Sequence, residues 1–303
     1  MDSALSKPRI AASAPSTRTV GLHRAEIVAI TFFSLLGALS WIRPLSYTHR
    51  LILTCLPILF WGLWTLESSA TRPWSRVLRE YLTLALILAG YWSLQLFAPT
   101  VKLDQLQDRW VGWDQVLLRG YGLQPLIESL GGVIPAILET VYLLLYAIPP
   151  VFLTILFLTG ARKRTHQFLF ILMLGTLSVY ACLLLVPVES PRIVYPGLDS
   201  PHYSSGPRML NTWLLDHMDI STSVFPSGHV GVAFSTAFAL LSAVRPRRAV
   251  WISAFALAFL VFLATIYGRY HYAVDGLASI ALTSVICRAA ERFSGNWGQT
   301  RSV

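Results

Sequence analysis

Residues 225–244 read FPSGHVGVAFSTAFALLSAV and residues 268–287 read GRYHYAVDGLASIALTSVIC. In each, a short polar cluster stands at the mouth of a long apolar run. The first cluster is Phe225-Pro226-Ser227-Gly228-His229, and the second is Gly268-Arg269-Tyr270-His271-Tyr272-Ala273-Val274-Asp275. Around them lies a chain of 303 residues that is 54% apolar and only 13% charged, with ten tryptophans, more hydrophobic surface than one water-soluble core can hide. Lipid is therefore the solvent for most of it. The fold expected is all-α, a polytopic membrane helical bundle.

Windows of about 17 to 25 residues, the length needed to cross a bilayer, place about eight transmembrane helices. They fall at roughly 25 to 42, 50 to 66, 80 to 98, 133 to 158, 168 to 188, 229 to 244, 249 to 267 and 271 to 290, the second and sixth being short. The first is not read as a cleavable signal peptide, because no small-residue cleavage pattern follows it and further apolar spans do.

Basic residues set the orientation, since Lys and Arg accumulate in short cytoplasmic loops. Lys7, Arg9, Arg18 and Arg24 precede the first span, and Arg72, Arg76 and Arg79 follow the second. Arg162, Lys163 and Arg164 follow the fourth; Arg245, Arg247 and Arg248 follow the sixth; Arg288, Arg292 and Arg301 close the chain. Sixteen of the 24 basic residues thus lie on one side, so an even number of spans with both termini cytoplasmic is expected. The net charge of +9 is spread over these juxtamembrane clusters, which suits orientation and anionic headgroups rather than nucleic acid. Cys55, Cys182 and Cys287 fall inside apolar spans without zinc or disulfide spacing and read as small buried hydrophobes.

Outside the spans, residues 1–20 lack apolar periodicity and read as a disordered tail. Leu103, Leu106, Trp110, Trp113 and Leu117 recur at spacings of three and four, with Asp104, Gln107, Asp108 and Asp114 on other faces. This pattern predicts an amphipathic helix near 103–118 at the outer interface, a collar rather than a catalytic element. Glu139 stands about two turns inside the fourth span, near Tyr142, Tyr146 and the kink-permitting pair Pro149-Pro150, and an ionisable group there is a candidate site residue. The longest outer loop, Glu189 to Val224, opens Glu189-Ser190-Pro191-Arg192 and reads as an ordered cover over a site.

The two polar clusters carry the chemistry. Pro226 suits the first turn of a helix, and the amides of Ser227, Gly228 and His229 at that helix start can hold an anion. His271 and Asp275 are four apart and share a helical face. If Asp275 accepts the hydrogen of one imidazole nitrogen, the other is free to attack phosphorus. Arg269 can fork two phosphate oxygens. Spans six and eight both start outside, so the clusters meet at one face. His271 then forms a phosphohistidine while His229 protonates the departing oxygen and later deprotonates water or another hydroxyl. Ser227, Gly228, Arg269 and Arg192 would stabilise the transferring group. No cofactor or metal is required.

Pro226-Ser227-Gly228-His229 and Arg269-Tyr270-His271-Tyr272-Ala273-Val274-Asp275 resemble the second and third signatures of the type 2 phosphatidic acid phosphatase superfamily. The resemblance implies an acid/base histidine at His229, a nucleophile at His271, an orienting carboxylate at Asp275 and a phosphate-binding arginine at Arg269. The short gap between Arg269 and His271 is closer in style to the branch that includes inositol phosphorylceramide synthase. The first signature, a lysine followed after six residues by Arg-Pro, is absent, and Arg192 is its best substitute. The resemblance covers roughly residues 80 to 290 and implies a six-helix phosphatase-like core. The chain then divides into a disordered cytoplasmic tail (1–22), two additional transmembrane helices (23–79), the catalytic core including the external helix (80–292) and a C-terminal tail (293–303).

The function expected is an integral membrane lipid phosphate phosphatase acting through a phosphohistidine at the extracytoplasmic face, with a bacterial inner membrane as the location. Its partners would be a membrane lipid carrying a phosphate ester, and water or a lipid or sugar hydroxyl as acceptor. The alternative is a phospholipid or sphingolipid headgroup phosphotransferase, for which Glu139, His202 and His217 could contribute to the acceptor pocket. A transporter would need two halves of matching hydropathy or a row of intramembrane charges, and neither is present. A non-catalytic lipid-binding scaffold is the remaining reading.

Overall fold

The computed structural model describes residues 21–67, 73–99, 102–220 and 222–295. Apart from a few residues at their inner edges, the expected tails lie outside these. The described residues are helical with no strand, as a chain in hydrocarbon requires, because its backbone must satisfy its own hydrogen bonds. The helices are α1 (Arg24–Ile42), α2 (Tyr47–Glu67), α3 (Pro73–Ser93), α4 (Asp104–Gln115), α5 (Leu123–Glu128), α6 (Val133–Leu143) and α7 (Ile148–Leu158). There follow α8 (Thr165–Cys182), the single turn α9 (Pro191–Val194), α10 (Gly206–Met218), α11 (Gly228–Ala243), α12 (Arg248–Tyr267) and α13 (Ala273–Gly295).

Among the described residues, six helices are long and apolar enough to cross a membrane: Arg24–Ile42, Trp74–Phe97, Val133–Leu158, Arg162–Cys182, Arg248–Tyr267 and Ala273–Arg292. The protein is an integral membrane helical bundle. α11 is apolar but has only 16 residues, about 24 Å of rise. α2 falls outside the six and carries Pro57 within it. The span at 133–158 is interrupted by a 3-10 turn at Leu144–Ala147, after which Pro149 and Pro150 sit in the first turn of α7. Proline has no N–H for a helix interior, which places the break there. The fifth expected span is α8, which ends at Cys182 rather than at 188; Pro187 disfavours helix in the residue before it.

The core is organised around α11, which packs on α8, α12 and α13. A Cβ on Gly175 of α8 would lie 2.3 Å from Ser235 Oγ, and one on Gly231 of α11 would lie 2.9 Å from Val179, so glycine lets these two backbones close up. At the opposite end from the two histidines, the basic loops gather. There Arg79 forks the Glu26 carboxylate at 2.5 and 2.6 Å, and Arg247 donates to the Thr159 carbonyl at 2.5 Å.

The amphipathic helix predicted near 103–118 is α4 followed by a π turn at Val116–Gly120, and its buried face differs from the one expected. Gln107, Trp110, Val111, Asp114 and Leu118 turn inward, whereas Leu103 and Trp113 are exposed. The polar groups go inside because they have partners there. Gln107 accepts the Glu189 N–H at 2.5 Å, and Asp114 is bound to Arg269 and to the Ala273 N–H.

Candidate active site

α11 starts at Gly228, with Ser227 as its N-cap and Pro226 one residue before, outside the first turn. Ser227 Oγ accepts the Val230 N–H at 3.3 Å, so the hydroxyl is engaged in the cap. The Ser227 N–H donates to the Asp275 carbonyl at 3.0 Å, and its carbonyl accepts the Ser279 hydroxyl at 2.7 Å. These bonds tie the start of α11 to the start of α13. Between α12 and α13 the chain makes a knot in which Arg269 takes a left-handed φ of 62° and the amides of Tyr270 and His271 both donate to Thr265.

The knot brings the two histidines into contact, His271 Nε2 lying 3.3 Å from His229 Nδ1. His271 Nδ1 stands 3.0 Å from the Val224 carbonyl and 3.4 Å from Asp275 Oδ2, which also accepts the Tyr272 N–H at 2.9 Å. A carbonyl can only accept, so Nδ1 carries the proton and Nε2 keeps its lone pair. It follows that His229 Nδ1 donates to His271 Nε2, and that His229 Nε2 accepts from the Tyr146 hydroxyl at 3.4 Å. Burial holds the His271 imidazole down to about 4, while the Asp219 carboxylate and the Val224 carbonyl pull the other way. Near neutral pH the ring is uncharged.

Aromatic rings brace this pair. Tyr142 stacks on His229 at 4.7 Å and on Tyr270 at 4.2 Å, and the Tyr270 hydroxyl donates to Glu139 at 2.6 Å. Glu139 also takes Arg208 at 2.7 Å and Asn211 at 2.8 Å, both from α10. Its carboxylate is thus fully engaged in fastening α10 over the site, rather than lining an acceptor pocket. His202 lies exposed on Glu128 at 2.7 Å, and His217 is exposed and stacked on Trp213. Neither joins the histidine pair.

The two arginines divide unexpectedly. Arg269 is buried, with Nη1 2.7 Å from Asp114 Oδ2, and it does not line the hollow beside the histidines. Its carbonyl accepts the Arg192 N–H at 3.1 Å. Arg192 does line that hollow, with His229, His271, Gly228, Asp219 and Tyr270. Its Nη1 donates to Asp216 at 2.8 Å, Nη2 lies 3.7 Å from Asp219, and Nε is buried without a partner among the described residues.

The hollow itself has about 10 Å³ of free volume, room for roughly one water. An apolar pocket of about 280 Å³, with Leu88, Trp92, Tyr146, Leu214 and Met218 in its wall, reaches it at His229 and Asp219. A polar vestibule of about 260 Å³, with Lys102, Glu189, Ser190 and Asp216, reaches it at Arg192 and Asp219. A separate groove of about 450 Å³ between α1 and α2 is not lined by either histidine.

Asp219, Tyr91, Tyr142 and Tyr146 were not singled out as site residues from sequence. Glu139, Tyr142 and Tyr146 recur at a helical spacing that could have flagged a polar face within an apolar span. Asp219, three residues after the exposed Asp216 near the end of a long loop, carries no such signal. Among the described residues no group of three or more His, Cys, Asp or Glu is arranged to hold a metal.

A family model described as the PAP2 superfamily matches residues 129–289, more than half of the chain. The match begins just before α6 and includes Arg192, both histidines and Asp275, while α1 to α5 lie outside it. Searches of curated proteins and of solved structures each returned no significant match.

Proposed function

The chain belongs to the PAP2 superfamily and is a lipid-phosphatase-like integral membrane protein, and from that premise we propose that it cleaves a lipid phosphate ester through a phosphohistidine on His271. The observation that carries this reading is the 3.3 Å contact between two imidazoles in a hollow between an apolar pocket and a polar vestibule. Such a hollow suits a molecule with an apolar chain on one side of its phosphate and water on the other.

In this scheme the lipid chain occupies the apolar pocket and the phosphate lies between the rings. A reacting distance of about 3–3.5 Å and a hydrogen bond of about 2.6–3.2 Å cannot both fit within the present contact, so the rings part as the phosphate arrives. His271 Nε2 attacks phosphorus, and the bond from phosphorus to the lipid oxygen breaks. His229, carrying a proton on each ring nitrogen once the anion lies beside it, gives one to that oxygen. Water from the vestibule then attacks phosphorus, His229 takes its proton, and the bond to His271 breaks to release phosphate. Arg192 and the amides of Gly228 and His229 stabilise the equatorial oxygens. Asp275 and the Val224 carbonyl hold the His271 tautomer. Arg269 supports the site from behind through Asp114.

A headgroup transferase would use the same first step and a hydroxyl acceptor in place of water. The vestibule favours keeping this second reading, because about 260 Å³ lined by a mixture of charged, hydroxyl and apolar side chains is more than one water needs. The accompanying topology has eight crossings with a six-helix core, both termini cytoplasmic and the histidines at the extracytoplasmic face of a bacterial inner membrane.

Purified protein in lipid nanodiscs, given a panel of phosphorus-labelled lipid phosphates with and without alcohol acceptors, tests this. Acid-labile label on the wild-type protein and its absence from His271→Ala support the phosphohistidine. Equal labelling of both refutes it. Free phosphate as the product marks hydrolysis, and label recovered on the added alcohol marks transfer.

A further inference from the structure

Asp219 is a carboxylate placed where an anionic substrate would be handled, which is electrostatically costly unless the carboxylate has a task there. It follows α10 and is clamped on one oxygen: Oδ1 accepts the Tyr91 hydroxyl from α3 at 2.6 Å and the Ile220 N–H at 2.9 Å. Its other oxygen faces Arg192 Nη2 at 3.7 Å, close enough for attraction and too long for a hydrogen bond. Together with Leu215, Asp219 lines the hollow, the apolar pocket and the vestibule alike.

Arg192 stands in an unfinished arrangement. Its firm bond is to Asp216, whose side chain is 52% exposed, whereas Asp219 is 20% exposed and holds it loosely. Its Nε is buried without a partner among the described residues. A guanidinium has five donors in a fixed fork, and on Arg192, which lines the hollow with the two histidines, the Nε donor is left over.

We propose that Asp219 is a positioning residue: clamped by Tyr91, it draws the Arg192 guanidinium to the edge of the histidine hollow and yields it to an incoming phosphoryl group. The long contact is what such an exchange needs. A tight pair would compete with the phosphate, and no pair would leave Arg192 with Asp216 in the vestibule. A plain structural tie between α10 and α3 would also account for the Tyr91 bond, but it makes a different forecast for anion binding. The proposal rests on the hollow being a phosphate site.

The test uses full-length wild type, Asp219→Asn, Arg192→Ala and the double variant in nanodiscs, with inorganic phosphate binding by calorimetry and single-turnover labelling of the protein by a labelled lipid phosphate. Asp219→Asn should bind inorganic phosphate about tenfold more tightly, because the competing and repelling charge is gone. It should label about tenfold more slowly, because the fork is no longer drawn into place. In the Arg192→Ala background the same change should alter the labelling rate by less than about twofold, since residues acting through one another are not additive. Weaker phosphate binding by Asp219→Asn, or an equal rate cost in both backgrounds, overturns the proposal. If Asp219→Asn does not fold, Tyr91→Phe removes only the clamp. It should slow labelling about threefold with Arg192 present and leave it unchanged without it, any other pattern counting against the proposal. Wild type that neither binds phosphate nor becomes labelled would refute the phosphate site itself, whereas wild type that does both while Asp219→Asn matches it would refute Asp219 alone.

Discussion

His271 is held in a form ready to attack. Burial lowers its imidazole to about 4, so the lone pair on Nε2 persists through the mildly acidic range. An unperturbed histidine near 6.5 would be half protonated at that pH and would lose its nucleophile as pH falls. The acid limb of kcat/KM, which reports the free enzyme, is therefore expected near pH 4 rather than 6.5; a limb at 6.5 would show a solvated nucleophile. A second expectation concerns Arg269, whose guanidinium is buried against Asp114. Asp114→Ala strands that cation in the interior and should cost about 3 kcal/mol in thermal or denaturant unfolding. The loss should exceed that of Asp108→Ala, a neighbouring carboxylate on the exposed side of α4.

At the level of helices, the crossing of α8 and α11 sets where His229 stands, because it fixes the start of α11. Gly175→Ala adds a methyl 2.3 Å from Ser235 Oγ, 2.8 Å from Cys287 Sγ and 3.0 Å from Ser235 Cβ. Alanine gains about 1 kcal/mol of helix propensity over glycine, but overpacking costs about 1–3 kcal/mol, so net destabilisation is expected. Gly112→Ala on α4 meets nothing within 4 Å and should be neutral or stabilising by up to about 1 kcal/mol. Melting temperatures of the two variants in one detergent compare them directly. The same helices show what a sequence discloses. The apolar runs revealed their own helices because lipid demands length and apolarity together, whereas the shared helical face expected for His271 and Asp275 is not what joins them: His271 lies in the bend before α13 and approaches Asp275 at 3.4 Å from outside the helix. On α4 the reasoning failed, since apolarity marks the inside only where water is outside. At an interface Trp113 can face outward, while Asp114 turns in toward a cation 155 residues away. For the same reason Asp219 and the Tyr142–His229 stack were illegible: their meaning lies in partners from α3, α6 and α11, not in local pattern.

For the whole molecule, the decisive asymmetry is that catalytic candidates and basic loops occupy opposite ends of the bundle. Arg162, Lys163 and Arg164 are exposed in the turn between α7 and α8, at the end where Arg247 reaches Thr159. Tyr121 is exposed in the turn before α5, and α5 meets the end of α12 just ahead of His271, where the Tyr267 hydroxyl donates to Glu128 at 3.0 Å. Cationic side chains are retained on the cytoplasmic side of short loops, so the two ends should differ in access to an impermeant reagent. In a background with Cys55, Cys182 and Cys287 replaced by alanine, Tyr121→Cys should react with a membrane-impermeant maleimide in intact cells. Lys163→Cys should react only after the membrane is opened. The reverse pattern would place the histidines at the cytoplasmic face, where the phosphate esters available to them would be those of the inner leaflet. Equal reaction of both in intact cells would mean dual insertion, and the charge argument would then carry no orientation at all.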